Sequence, residues 1–158
     1  MNEKSISHIL GHIAYFTLYV FLIVFTIIYY RPDIITSLMY AGWGVLITGG
    51  IMLVSASKSR KKALLENGKE TLIKTGLYGI IRHPEFLGHI LVIIGLVLIS
   101  QHIINTLIGL GLISLLCVEM SEEEEINMKK FGEAYKEYMQ QVPKINIFAS
   151  RKKGKETG

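Results

Sequence analysis

Two groups of ionisable residues stand where the chain enters and leaves apolar stretches. The first is Arg82-His83-Pro84-Glu85 with His89 shortly after it, and the second is Glu119 followed by the four glutamates 122–125. Charged groups at such a boundary cost free energy unless they meet water, one another or a ligand. The chemistry open to them is charge-assisted ligand binding and proton transfer. They therefore predict a functional site, with a structural alternative in which Arg82 merely pairs with a glutamate and the acidic run is a solvated face.

The composition places these groups in a small integral membrane protein. Of 158 residues, 50% are hydrophobic and only 19% are charged, and the mean hydropathy is +0.39, which is too apolar for an ordinary soluble domain. The net charge of +4 does not indicate nucleic-acid binding, because the basic residues flank apolar runs and fit a lipid headgroup interface. The single cysteine, Cys117, cannot form an intrachain disulfide. We predict no metal site.

Four apolar runs predict an all-α, multi-span helical bundle with four spans in a single domain, residues 1–158. The first two spans, within residues 8–57, each have the roughly 20 residues that a bilayer core requires. The runs 86–99 and 103–118 are shorter, and the polar link between them predicts a tight helical hairpin. If its helices pack antiparallel, the two ionisable groups become neighbours. Four glycines predict close helix packing in the second span: Gly42, Gly44, Gly49 and Gly50.

The distribution of basic residues predicts the orientation. Residues 58–75 carry six lysines and arginines, whereas the first link offers only Arg31 beside Asp33. The positive-inside rule makes residues 58–75 a basic cytoplasmic loop and both termini cytoplasmic. Beyond Glu119, apolar and aromatic residues recur at helical spacing and predict a cytoplasmic amphipathic C-terminal helix. Its apolar face would comprise Met128, Phe131, Tyr135, Tyr138 and Val142, with Pro143 ending the helix and residues 149–158 forming a flexible basic tail.

Two motifs resemble those of the isoprenylcysteine carboxyl methyltransferase and phospholipid methyltransferase superfamily. Residues 76–88, GLYGIIRHPEFLG, resemble its Gly-Pro-Tyr and Arg-His-Pro-x-Tyr-x-Gly elements. Glu123-Glu124, residues 131–138 (FGEAYKEY) and residues 142–144 (VPK) resemble its Glu-Glu, Phe-Gly-x-x-Tyr-x-x-Tyr and Val-Pro-Arg elements. The resemblance implies an integral membrane enzyme that transfers the methyl group of S-adenosylmethionine to a lipid-borne or apolar acceptor. Residues 76–148 would form the cofactor-binding hairpin and C-terminal helix.

The resemblance also implies roles for individual residues. S-adenosylmethionine carries a carboxylate, an ammonium, a ribose, an adenine and a sulfonium, so its pocket needs both signs of charge and an aromatic wall. Arg82 and His83 would donate to the carboxylate, and Glu123 or Glu124 would accept from the ammonium or ribose. The predicted cofactor-binding set is completed by Tyr78, Phe86, Gly88 and Tyr135.

Methyl transfer depends mostly on positioning, and a general base is needed only when the acceptor arrives protonated. The candidates for that role are His89, Glu119 and Glu123. Glu119 stands where carboxyl-methylating members tend to have an arginine, so a carboxylate acceptor would be repelled. A thiol, an amine-bearing lipid and another apolar acceptor remain open, as does the oligomeric state.

Two rival functions compete with this hypothesis. One is a nicotinamide-dependent membrane reductase, because sterol-type reductases have a similar carboxy-terminal region. The other is a non-enzymatic membrane module whose charged groups serve only topology or partner binding.

Overall fold

Five α-helices form the described part of the computed structural model, which covers residues 3–30, 35–67 and 71–145. The helices are α1 (Glu3–Ile28), α2 (Thr36–Asn67), α3 (Pro84–Ser100), α4 (Ile103–Phe131) and α5 (Glu133–Gln141), and a 3-10 turn spans Gly76–Gly79. No strand occurs within these ranges, so the all-α prediction is confirmed for them. The expected basic tail, residues 149–158, and the Arg31–Asp33 link lie outside the described residues.

Long apolar helices identify the chain as a membrane protein. Among the described residues, three helices contain stretches long and apolar enough to cross a bilayer: Gly11–Ile28, Thr36–Leu65 and Ile103–Phe131. The remaining apolar helix, α3, has only 17 residues, which at 1.5 Å per residue is about 26 Å against a hydrocarbon core of about 30 Å. The count of four spans and the orientation of the termini therefore stay predictions.

Helix α2 is longer than the sequence pattern indicated. Residues 58–75 were expected to form a loop, but α2 continues to Asn67. The stretch from Lys58 to Asn67 consists largely of lysine, arginine and leucine, which favour a helix whether or not it lies in the membrane. The charges end the apolar run without ending the helix.

The chain divides into two compact units, of which the first comprises Met1–Gly50 and Gly88–Glu119. Here α2 packs closely on α3 at two of the four predicted glycines. A Cβ added at Gly42 would lie 2.9 Å from Ile99 Cγ1, and one at Gly49 would lie 2.8 Å from the backbone nitrogen of Val92. At Gly44 and Gly50 an added Cβ would meet no described atom within 4 Å. Close helix approach thus explains only half of the glycine pattern.

Helices α3 and α4 form the predicted hairpin. The turn between them contains Gln101 in a left-handed conformation with a φ of 50°, and Gly109 of α4 lies against Val97 of α3, since an added Cβ would be 2.8 Å from Val97 Cγ2. Helix α1 joins this hairpin through a buried hydrogen bond of 3.0 Å from Asn105 Nδ2 to Thr26 Oγ1. Such polar contacts satisfy groups that hydrocarbon cannot.

The second unit comprises Ile51–Leu87 and Met120–Gly158. The single amphipathic helix expected after Glu119 is broken here, because α4 ends at Phe131 and α5 begins only after Gly132, whose φ of 52° favours glycine. The predicted apolar face still forms: Tyr135, Tyr138 and Val142 are buried together, packed against Leu72, Met128, Phe131 and Met139. Helix α5 ends at Gln141, just before Pro143 as predicted.

Candidate ligand-binding site

The segment before α3 is held against the segment after α5. The backbone N–H of Arg82 donates to the carbonyl oxygen of Pro143 at 3.0 Å, and that of His83 donates to the carbonyl oxygen of Lys144 at 3.2 Å. Pro84 then opens α3, at a position where its missing N–H costs nothing. Both side chains are thereby fixed at the start of a helix.

Glu124 of α4 pairs with three residues of these two segments. Its Oε1 lies 3.2 Å from Arg82 Nη2 and 3.2 Å from His83 Nε2, and its Oε2 lies 3.0 Å from Lys144 Nζ. The Glu124 side chain is only 16% exposed, so the pairing offsets the cost of removing its charge from water. The predicted meeting of the two ionisable groups is confirmed.

His83 is a neutral donor within this arrangement. Burial lowers the pKa of His83 below its usual value, although the Glu124 carboxylate opposes the shift. A neutral imidazole has one N–H, and the Nε2 position facing Glu124 takes it. Nδ1 is then left as an acceptor, 3.8 Å from Glu123. His83 therefore orients Glu124 and offers a ligand a lone pair rather than the donor that was expected.

The Arg82 guanidinium has N–H donors that Glu124 does not use. Its side chain is only 9% exposed, and its Nε and Nη1 atoms are buried without a hydrogen-bond partner among the described residues. A buried donor left unsatisfied costs roughly 1–3 kcal/mol, and more when it carries charge. These donors are therefore available to an acceptor group on a ligand.

Arg82 lines a cavity of about 170 Å³ in the second unit. The wall combines both signs of charge, since Arg60 and Lys130 also contribute and Glu123 supplies a carboxylate. The aromatic part of the wall consists of Tyr78, Phe131, Tyr135 and Tyr138. The volume is below the roughly 300–1,000 Å³ of typical small-molecule pockets, so the cavity encloses only part of a nucleotide-sized ligand.

Tyr78 is held at the cavity wall through its backbone, since the Tyr138 hydroxyl donates to the Tyr78 carbonyl oxygen at 2.6 Å. Burial, reinforced by the negative charge of Glu85, raises the pKa of Tyr78 above its usual value. The phenol therefore stays protonated. Glu85 itself pairs with Arg60 at 3.1 Å.

The structure gathers most of the predicted cofactor-binding residues but not all of them. The predicted residues that line the cavity are Tyr78, Arg82, His83, Glu123 and Tyr135, and Glu124 pairs with Arg82 and His83. Two others have packing roles instead. Phe86 lies edge-on to the His83 ring at 5.5 Å, and the Gly88 carbonyl oxygen would be 2.9 Å from a Cβ at Gly49. Gly88 thus serves the α2–α3 contact.

The three candidate bases lie in different surroundings. Glu123 is at the cavity wall with its side chain 45% exposed. His89 and Glu119 belong to the first unit and are not among the lining residues: His89 lies edge-on to Tyr15 at 6.1 Å, and Glu119 Oε1 is 3.0 Å from His12 Nδ1. Among the three, only Glu123 is brought together with Arg82.

Four charged or ionisable residues had no predicted site role. Arg60, which lines the cavity, was counted only as a topological charge, and Lys144, which pairs with Glu124, only as a motif variant. Lys130, at the cavity wall, and His12 were not considered. The signal that drew attention to residues 82–89, an ionisable side chain at the edge of an apolar run, was equally present at His12.

The long apolar helices define a helical membrane protein. The charged, aromatic-lined cavity and the paired ionisable groups beside it form its candidate ligand-binding site. A family model described as "Protein of unknown function (DUF1295)" matches residues 3–142. The chain belongs to this family. No curated protein and no solved structure matches the chain.

Proposed function

We propose that this protein is an integral membrane methyltransferase that uses S-adenosylmethionine to methylate a lipid-borne or apolar acceptor. One observation carries the proposal: Arg82 has two buried donors that no described residue accepts from, beside a cavity that also offers a carboxylate and aromatic rings. A ligand with a carboxylate, a cationic group and a flat ring system complements that combination. The two sequence motifs that resemble membrane methyltransferases meet at this cavity.

The residues present fit such a cofactor. Arg82 would bind the carboxylate, because charge-assisted hydrogen bonds anchor such groups most strongly. Glu123 and the free Nδ1 of His83 would accept hydrogen bonds from the ammonium or the ribose hydroxyls. Tyr135 and Phe131 offer apolar faces to the adenine. Glu124 would remain with Arg82, His83 and Lys144 and hold the arginine in place.

Bound S-adenosylmethionine would supply an electrophilic methyl group. The protein would orient the acceptor and exclude water. Positioning of the reacting groups supplies most of the acceleration of a displacement reaction. Glu123 would take the proton of an acceptor that arrives protonated, since it is the one candidate base at the cavity wall.

A nicotinamide-dependent reductase is the second candidate. Three cations, Arg60, Arg82 and Lys130, line the cavity against the single carboxylate of Glu123, and an excess of positive charge favours phosphate groups. The DUF1295 family is also associated with steroid 5-alpha reductase-like membrane proteins. Two of these cations are engaged, however, since Arg60 pairs with Glu85 and Lys130 lies 5.3 Å from the Phe131 ring centroid. This leaves Arg82 as the main anion-binding group.

Thermal stabilisation of the purified protein separates the two functions. A ligand at a hundred times its dissociation constant stabilises the folded state by about 2.7 kcal/mol. We expect a rise in melting temperature with S-adenosylmethionine and none with NADPH. Stabilisation by NADPH alone would support the reductase. If neither cofactor stabilises the protein, the remaining hypothesis is a non-enzymatic membrane module.

Membranes containing the protein, incubated with methyl-labelled S-adenosylmethionine, then test the reaction itself. We expect label to enter lipid, protein or a volatile product, and membranes with an Arg82→Ala variant serve as the matched background. Equal labelling in wild-type and Arg82→Ala membranes would reject the proposed methyltransferase activity.

A further inference from the structure

A second cluster of ionisable side chains lies in the first unit. His12 Nδ1 of α1 is 3.0 Å from Glu119 Oε1 of α4. Tyr15 and Tyr19 follow His12 on the same face of α1, three and seven residues on. Their rings stand edge-on to the imidazole of His89 on α3, with centroids 6.1 and 6.0 Å away. Three helices thus contribute to one polar patch.

This patch lies at the ends of apolar stretches and beside exposed apolar side chains. The His12 side chain is 64% exposed and that of Glu119 is 27% exposed, and their neighbours Ile13, Phe16 and Val118 are exposed apolar residues. His12 lies inside the apolar stretch Gly11–Ile28. Ionisable groups in lipid-facing surroundings are costly and mark functional sites. The Tyr15 hydroxyl, moreover, is buried without a hydrogen-bond partner in the described parts of the chain.

We propose that His12, Tyr15 and Glu119 bind the head group of an amphiphile that arrives laterally from the bilayer, and that this head group is a non-anionic hydrogen-bond donor such as an ammonium, a hydroxyl or a thiol. The Glu119 carboxylate keeps lone pairs beyond the one that faces His12, and these accept hydrogen bonds. A carboxylate or phosphate head group would meet the like charge of Glu119 and be disfavoured.

The head-group preference follows from the His12–Glu119 pair itself and does not depend on the methyltransferase activity. Glu119 would select proton-donating head groups over carboxylates.

Photolabelling in nanodiscs of zwitterionic lipid tests the site without any cofactor. Three diazirine-bearing amphiphiles of equal chain length are used, with a primary amine, an alcohol and a carboxylate as head groups, and labelled α1 and α4 peptides are quantified by mass spectrometry. We expect the amine and the alcohol to label at least about threefold more than the carboxylate, the factor typical of one partly exposed ion pair.

Variants distinguish the site from general partitioning of the probes. We expect Glu119→Gln to bring the amine-to-carboxylate ratio towards one, Glu119→Arg to reverse it, and Tyr15→Phe to lower labelling by the alcohol. Glu125→Gln is the matched control, since Glu125 lies on the same helix and pairs with Lys129 at 2.6 Å, and it should leave every ratio unchanged.

Equal labelling by the three probes in the wild type, or ratios that neither Glu119 variant changes, would overturn the inference. The failure of the methyltransferase proposal has a different signature. A head-group preference without stabilisation by S-adenosylmethionine rejects the proposed function alone, and stabilisation without a preference rejects the head-group site alone.

Discussion

Arg82 Nη2 lies 3.2 Å from Glu124 Oε1, which joins the residues just before α3 to the second half of α4. The contact turns two charged stretches, far apart in the chain, into one site. It also leaves Nε and Nη1 of the guanidinium without a partner among the described residues, so Glu124 holds the arginine while these two atoms can still bind an anion. A lysine has all its donors on one nitrogen and lacks such a second set.

The first prediction concerns this arginine. Arg82→Lys keeps the positive charge but removes the planar array of donors. We expect the dissociation constant for S-adenosylmethionine, measured by calorimetry, to rise about tenfold or more, because a hydrogen bond to a charged group contributes about 1.5–3 kcal/mol. Lys129→Ala, at an exposed position paired with Glu125, should leave it unchanged. An unaltered affinity in the Arg82 variant would show that the carboxylate binds elsewhere.

The second prediction concerns Glu124. Glu124→Gln removes the negative charge that Arg82, Lys144 and the neutral His83 share, and the two cations remain in place with only a neutral amide between them. We expect unfolding in detergent to require about 1–3 kcal/mol less free energy than in the wild type. Glu125→Gln, one position along at an exposed site, should change the stability by no more than about 0.5 kcal/mol. Equal effects of the two substitutions would contradict a structural role for the Glu124 pairing.

The third prediction is a pH dependence. Because burial lowers the pKa of His83, the unfolded chain binds a proton at this residue more readily than the folded protein does. The stabilisation is complete above the unfolded value of about 6.5 and is lost as the pH falls from there towards the lowered folded value. The loss is at most about 1.4 kcal/mol per pH unit.

Stability measured between pH 8 and pH 5 should therefore decline less in His83→Gln than in the wild type. His102→Gln, in the turn between α3 and α4, is the control and should retain the wild-type slope. A His83 variant with the same decline as the wild type would assign the pH dependence to other groups.

The fourth prediction concerns the hydroxyl of Tyr138, which donates to the Tyr78 carbonyl oxygen at 2.6 Å. Tyr138→Phe leaves that carbonyl without this donor and should lower the free energy of unfolding by about 1 kcal/mol. Tyr40→Phe, at a side chain 67% exposed, should have little effect. If Tyr78 is held in the cavity wall by this bond, the Tyr138 variant will also bind the cofactor more weakly.

The fifth prediction uses two adjacent glycines of α2. An alanine at Gly49 would place its Cβ 2.8 Å from the backbone nitrogen of Val92, where nothing flexible can yield, whereas an alanine at Gly50 would meet no described atom within 4 Å. We expect Gly49→Ala to destabilise the protein by about 1–3 kcal/mol and Gly50→Ala to leave it unchanged or up to about 1 kcal/mol more stable, because alanine favours a helix over glycine. A similar loss in both would mean that the close α2–α3 contact at Gly49 does not set the cost.

The helices and their hairpin were predictable because apolar runs of the right length leave few alternatives in a bilayer. The ends of the helices were less so. Charge was used to place a loop after residue 57, yet the lysines and leucines that follow are good helix formers and α2 continues to Asn67. The break at Gly132 was hidden for the opposite reason, since the apolar spacing continues across it even though the backbone does not.

The hairpin alone predicted that the charged residues before α3 and after residue 118 are neighbours, and the motifs added Tyr78 and Tyr135 of the cavity wall. Phe86 and Gly88 do not line the cavity. A motif gives residue types, whereas the direction of each side chain depends on its packing. The neutral state of His83 depends on burial, which no spacing reveals.

The hydrogen bonds from Arg82 and His83 to the carbonyl oxygens of Pro143 and Lys144 set an order of assembly during translation. A chain grows from its amino terminus at about 5–20 residues per second, so the ribosome has made the whole α3–α4 hairpin before these acceptors exist. During synthesis the residues before α3 therefore lack these two backbone acceptors, although Glu124 of α4 has already been made. A chain that stops before Pro143 keeps both partners of the Arg82–Glu124 pair but loses the carbonyl oxygens that fix the backbone of Arg82 and His83.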